Sequence, residues 1–261
     1  GHRHAQGIGD ALAERAGGDF DVRRRIDLRM ALAARTEVAE GADLLDVGAE
    51  STRPGAEAVP AETQIARTVP LIEALAAQTA VPISIDTSDP QVMRAALAAG
   101  AGMINDVRAL RADGALEVAA DSRAVVCLMH MQGEPRIMQD APHYDDVVGE
   151  VHRFLSDRVL ACQFAGIDKK RIVIDPGFGF GKTLEHNLLL LARLEQFSEI
   201  APVMAGLSRK SMIASLTGQQ AVDRRIHGSV AAALIAVQRG AAIVRVHDVA
   251  ATRDALKVWQ G

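Results

Sequence analysis

The sequence predicts an α/β fold, a (β/α)8 barrel of parallel strands. Three observations point to it. Short apolar runs recur along the chain, mostly without polar alternation, as strands buried on both faces do. Helical patterns separate them. Run after run also ends in a polar group, and barrel enzymes collect their working residues at that C-terminal rim.

The runs come in order. Leu44-Leu45-Asp46-Val47 is the first, followed by Ile83-Ser84-Ile85 and Met103-Ile104. Val125-Val126-Cys127-Leu128-Met129 and Ile172-Val173-Ile174 come next. Val203-Met204-Ala205-Gly206-Leu207 and Ile243-Val244-Arg245-Val246 complete the set. Between them, residues 60–78 carry Ile65, Val69, Leu71, Ile72 and Leu75 at helical spacing. Residues 89–99 open on Asp89-Pro90, a cap followed by a first-turn proline, and stop at Gly100. Residues 144–165, 184–197 and 228–239 read as further helices.

A doubly wound dinucleotide fold would place Gly-x-Gly-x-x-Gly after its first strand, and this chain has none. The strand ends favour the barrel instead. They carry Asp46, Asp86, Asn105 with Asp106, His130, Asp175, Ser208 with Lys210, and Arg245 with His247. An aspartate can cap the next helix. A series of polar groups at successive strand ends is hard to explain by capping alone. A closed barrel needs one strand more than these runs supply. It is expected ahead of a helix at about Asp21–Glu40, yet residues 1–20 show no strand pattern. The first strand and its loop are therefore expected to be divergent or missing in this chain, within one domain spanning residues 1–261.

Composition narrows the function. A net charge of -4 argues against a nucleic-acid partner, which needs clustered Lys and Arg. No apolar run approaches the length of a membrane span, so no membrane partner is expected. The two cysteines, Cys127 and Cys162, lack metal-ligand spacing, and Cys127 reads as a buried inert thiol. A reducing, cytoplasmic setting fits.

The stretch DPGFGFGK (175–182) looks at first like a phosphate loop. The Walker pattern would put its first glycine at Pro176, which has no backbone N–H to offer. Other residues suit an anion better. Arg245 and His247 lie two apart on the last run and would face the same way. Ser51-Thr52-Arg53, Arg209 and Lys210 add hydroxyls and charge, although Arg209 could equally pair with a surface carboxylate. Asp86, Asn105 and Asp175 form a second set, able to read the donor edge of a heterocycle. The two ends together suit a phosphorylated heterocycle.

Several long stretches resemble dihydropteroate synthase, in the order that family uses. They are DVGAESTRPGA (46–56), ISIDTSDPQVMRAALAAGAGMINDV (83–107) and VCLMHMQGEPRIMQDAPHYDDV (126–147). VIDPGFGFGK (173–182), GLSRKSM (206–212) and IVRVHDV (243–249) follow. The resemblance runs from about Gly41 to Trp259. It implies condensation of 6-hydroxymethyl-7,8-dihydropterin pyrophosphate with p-aminobenzoate, releasing pyrophosphate. The Ser-Thr-Arg-Pro and Ser-Arg-Lys-Ser stretches argue against the alternative of a pterin-dependent methyltransferase. A pterin-binding paralogue without synthase activity is the other alternative.

By the same resemblance, Asp86, Asn105, Met129, Asp175 and Lys210 would bind the pterin. Arg245 and His247 would bind pyrophosphate and, with Asp86, act in catalysis. Thr52, Arg53, Pro54, Phe180 and Ser211 would contact p-aminobenzoate. The glycines of 177–181 would give a mobile loop, and Lys182 would be solvated. Mg²⁺ is the implied cofactor and a homodimer through late helices the implied assembly. The family's Asn-x-Thr-Pro-Asp loop, which carries the expected metal ligand, has no counterpart in residues 1–40, and Ala49 stands where the family usually has glycine.

Overall fold

The computed structural model describes residues 33–50, 58–133 and 142–261. Among the described residues seven parallel strands form one sheet: β1 (Leu45–Gly48), β2 (Ile83–Asp86), β3 (Met103–Asp106), β4 (Val125–Met129), β5 (Ile172–Asp175), β6 (Val203–Ala205) and β7 (Ala241–Val244). Each strand pairs with its neighbours in chain order, from β1 to β7. A doubly wound sheet reverses its strand order at a switch point; this one never does. The sheet therefore curls one way. Its first and last strands come back together: Arg245, just past β7, donates from Nε to Asp46 Oδ2 of β1 at 2.6 Å. A second tie links Arg253 Nη1 to the Gly41 carbonyl at 2.7 Å.

Helices lie between the strands. Residues 33–40 form α1, which matches the end of the helix expected at Asp21–Glu40. The expected first strand and the family's metal-binding loop belong to residues outside those described. α2 (Ala61–Ala76), α3 (Pro90–Ala98), α4 (Ala115–Asp121) and α5 (Val147–Phe164) follow, then α6 (Leu184–Ala192), α7 (Ser211–Thr217), α8 (Ile226–Gln238) and α9 (Val249–Gln260). Asp89 caps α3 as its sequence predicts, accepting from the Gln91 and Val92 amides at 2.8 and 3.2 Å. The sequence reading gave no separate sign of α4, α7 or α9. Two are only 7 residues long, and α9 buries only Val249 and Thr252. The two short ones span too few residues for an apolar period to show. Among the described residues no helix is long and apolar enough to cross a membrane.

The strands are buried on both faces, but the two faces meet different partners. Leu45, Ile85, Ile104, Val126, Leu128, Ile172, Ile174 and Val203 pack with the helices in the main core. Met103, Cys127, Val173 and Met204 form a separate cluster with Leu44, Val125 and Ile243 on the inner face. Strand alternation then fixes which polar residues share that inner face. Register pairs Asp46 with Ser84, Gly48 with Asp86, Asp86 with Asn105, and Met129 with Asp175. Asp46, Asp86, Asn105, Met129 and Asp175 thus all project inward.

One strand ends earlier than its sequence suggests. β6 stops at Ala205, and a register shift follows Val203. The last rung of the β6–β7 ladder is the Arg245 amide on the Ala205 carbonyl, at 3.0 Å. Arg245 and His247 lie beyond β7, so strand alternation does not set their directions.

Candidate active site

The inner face concentrates charge at the C-terminal rim. Asp46 Oδ2 accepts from Arg245 Nε at 2.6 Å and from Asn105 Nδ2 at 3.0 Å. Arg245 Nη2 also reaches Asp86 Oδ2 at 3.5 Å. One guanidinium therefore sits between two carboxylates. Burial first, and then the neighbouring Asp46 charge, raise the Asp86 carboxyl to about 7 against the pull of Arg245. Asp46 Oδ1 is buried with no hydrogen-bond partner among the described residues. A buried acceptor left open costs free energy unless a donor arrives, so this oxygen is suited to a ligand N–H or O–H. Gly48 leaves room beside Asp86, since a Cβ there would stand a tight 3.2 Å from Asp86 Cβ.

Across the rim, Asp175 is buried at the end of β5. Its Oδ1 accepts the Gly177 amide at 2.7 Å. Burial raises its pKa, with Lys210 the main opposing charge. Lys210 donates to the Phe178 carbonyl, and its ammonium stands 4.7 Å from the centre of the Phe180 ring. Burial lowers Lys210 to about 8, against the pull of Asp175. Gly206 lies where these groups converge. A Cβ there would be 3.8 Å from Lys210 Nζ, 3.9 Å from Arg245 Cβ and 4.0 Å from Asp175 Oδ2. Hydrogen at Gly206 keeps the space between them open.

The glycine-rich loop follows Asp175. Gly177, Gly179 and Gly181 all have positive φ, of 72°, 77° and 61°. At Gly177 a Cβ would fall 1.8 Å from the His130 carbonyl oxygen, so no side chain fits. The loop is tied down from several sides. Tyr144 Oη donates to the Gly181 carbonyl at 2.9 Å, and Asn187 Oδ1 accepts the Gly179 amide at 2.7 Å.

Past β7, His247 lies beside Ser208: its Nδ1 is 3.0 Å from Ser208 Oγ, and its amide donates to the same hydroxyl at 3.2 Å. Arg209 is held away by Asp248, through Nε–Oδ2 at 3.0 Å and Nη2–Oδ1 at 2.5 Å.

Residues 20–247 match the family described as pterin binding enzyme. The dihydropteroate synthase of Escherichia coli is 50% identical over 219 residues, 84% of this chain and 77% of that protein. Two crystal structures of the Xanthomonas albilineans dihydropteroate synthase share the fold. The one with 4-aminobenzoic acid is 60% identical at a TM-score of 0.85, covering 88% of this chain and 82% of that one. The one in complex with 7,8-dihydropteroate is 54% identical at 0.83, covering 94% and 86%. The chain belongs to the dihydropteroate synthase family. It is a transferase of folate biosynthesis, joining 6-hydroxymethyl-7,8-dihydropterin pyrophosphate to p-aminobenzoate.

The structure brings together Asp86, Asn105, Met129, Asp175, Lys210, Phe180 and Arg245 around the rim. His247 lies beside Ser208 rather than against Arg245, and Ser211 is an exposed residue at the start of α7. Thr52, Arg53 and Pro54 lie outside the described residues. The expectation for Lys182 changes. Lys182 is not solvated but 3% exposed. The loop glycines take positive φ, and the loop is tied by Tyr144 and Asn187. Arg209 pairs with Asp248, as its alternative reading held. Asp106 stands at a strand end yet belongs to the opposite face. It accepts the Arg108 and Leu110 amides, each at 2.8 Å, and the Ser88 hydroxyl.

Sequence reasoning gave no role to Asp46, Gly206 or Lys182. Asp46 could have been found, since it shares the inward parity of Asp86 and Asn105 once register is known. Gly206 and Lys182 had no such signal.

Proposed function

We propose that this inner rim is where the transferase reaction occurs, with the pterin on Asp86, Asn105, Met129, Asp175 and Lys210. Asp175 and Asn105 present acceptors and a donor to the ring's polar edge, and Lys210 donates from the other side. Met129 supplies an apolar wall. Arg245 and His247 receive the pyrophosphate. Phe180, with Ser211 and with Thr52, Arg53 and Pro54, receives p-aminobenzoate. The observation that carries this reading is the convergence of Asp175, Lys210 and Arg245 around the open space at Gly206.

The chemistry follows from charge placement. The bond from the pterin methylene carbon to the pyrophosphate oxygen breaks, and its electron pair leaves with pyrophosphate. Positive charge grows at the methylene. The aniline nitrogen then attacks with its lone pair, and the new C–N bond forms as that nitrogen gives up a proton to solvent. Arg245 and His247 stabilise the departing anion, while ionised Asp86 stabilises the cationic pterin. No side-chain nucleophile is required. His130 is no general base: burial, with Lys182 nearby, depresses it to about 2.

Mg²⁺ belongs to the same proposal as a companion of the pyrophosphate. Among the described residues no group of three or more His, Cys, Asp or Glu could hold a metal ion. These residues alone do not fit the ion, so no step is routed through it. A cytoplasmic home is also proposed, supported by two buried free thiols, Cys127 and Cys162. A homodimer through late helices is supported by Leu216, Val222, Ile235 and Trp259, which are exposed after residue 210. Sedimentation at micromolar concentration would show a single monomeric species if that assembly were wrong.

The direct test is pyrophosphate release, with and without p-aminobenzoate and Mg²⁺. Release that needs p-aminobenzoate is expected. Asp175→Ala should cost about 100-fold in kcat/KM for the pterin substrate, the scale of one lost hydrogen bond to a charged group. Unchanged turnover in that variant would overturn the assignment.

A further inference from the structure

Lys182 is the residue that the reaction does not use and the structure does not leave alone. It follows the glycine-rich loop, in a sequence context that resembles a phosphate-binding lysine. Its ammonium instead turns inward and is buried. It has three N–H bonds to give. They meet three acceptors: His130 Nδ1 at 2.9 Å, the Gly177 carbonyl at 3.0 Å and the Phe180 carbonyl at 3.0 Å. His130 can accept at Nδ1 because it stays neutral, which places its proton on Nε2. Nothing remains on the ammonium for an anion.

Two of those acceptors are the ends of one turn. The Phe180 amide donates to the Gly177 carbonyl at 3.1 Å, and Lys182 ties both carbonyls from below. The third acceptor belongs to His130, directly after β4, a ring also held edge-on by Phe154 with centroids 4.9 Å apart. The lysine therefore links the Phe180 turn to the barrel wall. The pterin end has its own anchors. Asp175 is fixed by the Gly177 amide at 2.7 Å, and its carbonyl accepts the His130 amide at 2.9 Å. The lysine makes neither of those bonds; it shares Gly177 with them and attracts the Asp175 carboxylate through space.

We propose that Lys182 is a positioning residue for p-aminobenzoate: it fixes the turn that presents Phe180 and leaves the pterin pocket to its own supports. This rests on the assignment of Phe180 to the aminobenzoate side. Burial lowers Lys182 to about 7, with Asp175 the main opposing charge. The protonated lysine suits the task because no neutral side chain of that reach offers three donors to three acceptors. Removing it would take the donor from the Phe180 carbonyl and leave the Gly177 carbonyl with the Phe180 amide alone, and the turn would rearrange to solvate the freed oxygen.

The test is steady-state kinetics on the full chain, varying each substrate in turn. Lys182→Met keeps the stem and removes the donors. It is expected to raise KM for p-aminobenzoate about tenfold while KM for the pterin pyrophosphate stays within about twofold. His130→Phe removes one acceptor and should raise the aminobenzoate KM in the same direction by about threefold. It carries the test alone if Lys182→Met does not fold. Lys182→Arg retains donors and should recover part of the loss. Equal rises in both KM values, or no rise in the aminobenzoate KM, would overturn the proposal. Phe180→Leu separates the two layers of the argument. If it leaves the aminobenzoate KM unchanged, the Phe180 assignment fails whatever Lys182 does.

Discussion

Two buried charged clusters face each other across this barrel rim, and they are satisfied to different degrees. Around Lys182 every donor has an acceptor, and the charge is closed off by backbone and by His130. Around Asp46 and Asp86 the accounts stay open. Asp46 Oδ1 lacks a partner among the described residues, and Asp86 is raised to about 7. A closed cluster rigidifies the chain around it. An open one stores the capacity to bind. The same low-dielectric rim thus uses one charge for shape and others for chemistry.

Removing the second carboxylate should change this contrast most. In Asp46→Asn, Arg245 loses its closest ionic partner and Asp86 loses the neighbouring charge that raises it. We expect kcat/KM to fall about tenfold and the acid limb of its pH profile to move to lower pH. In the wild type that limb should rise through about pH 7, as Asp86 ionises. A profile with the same midpoint in both proteins would show that the two carboxylates are not coupled.

Filling the open space should have a smaller effect. Gly206→Ala places a methyl group at ordinary contact distance from Lys210 and Asp175, without a clash. The fold should survive, and KM for the pterin substrate should rise about threefold. An unchanged KM would mean that the pterin lies elsewhere.

The last prediction concerns stability rather than rate. Asp86 has a folded pKa near 7, above its ordinary value of 3.8. The folded state thus binds the proton more tightly than the unfolded state does. Stability from this group is full below about pH 4 and is lost as pH rises through 7. Asp86→Asn carries no charge to bury, so the ligand-free variant should melt a few degrees above the wild type at pH 8. The gap should close as pH falls towards 4. A constant difference across that range would tie the effect to something other than the buried charge.

Much of this site was legible before the structure. Asp86, Asn105 and Asp175 announce themselves as polar residues closing apolar runs, and parallel strands deliver such residues to one rim. Asp106 shows the limit of that rule. It closes the same run as Asn105, but alternation turns it to the other face, where it holds a loop. Lys182 shows a second limit. A lysine after glycines in a loop is ordinarily solvated, and the nearness of the His130 ring, of two carbonyls and of the Asp175 carboxylate makes its burial tolerable.

The sequence by itself determined the strands, the Asp89 cap of α3 and the inward chemistry of the rim, because each depends on local spacing along one segment. Tertiary structure decided the rest. Arg245 meets Asp46 across 199 positions of sequence. That contact exists only because the sheet curls until its first and last strands touch. Burial, and with it the protonation of Asp86 and the hidden post of Lys182, is a property of what surrounds a residue, and no stretch of neighbours in the chain contains it.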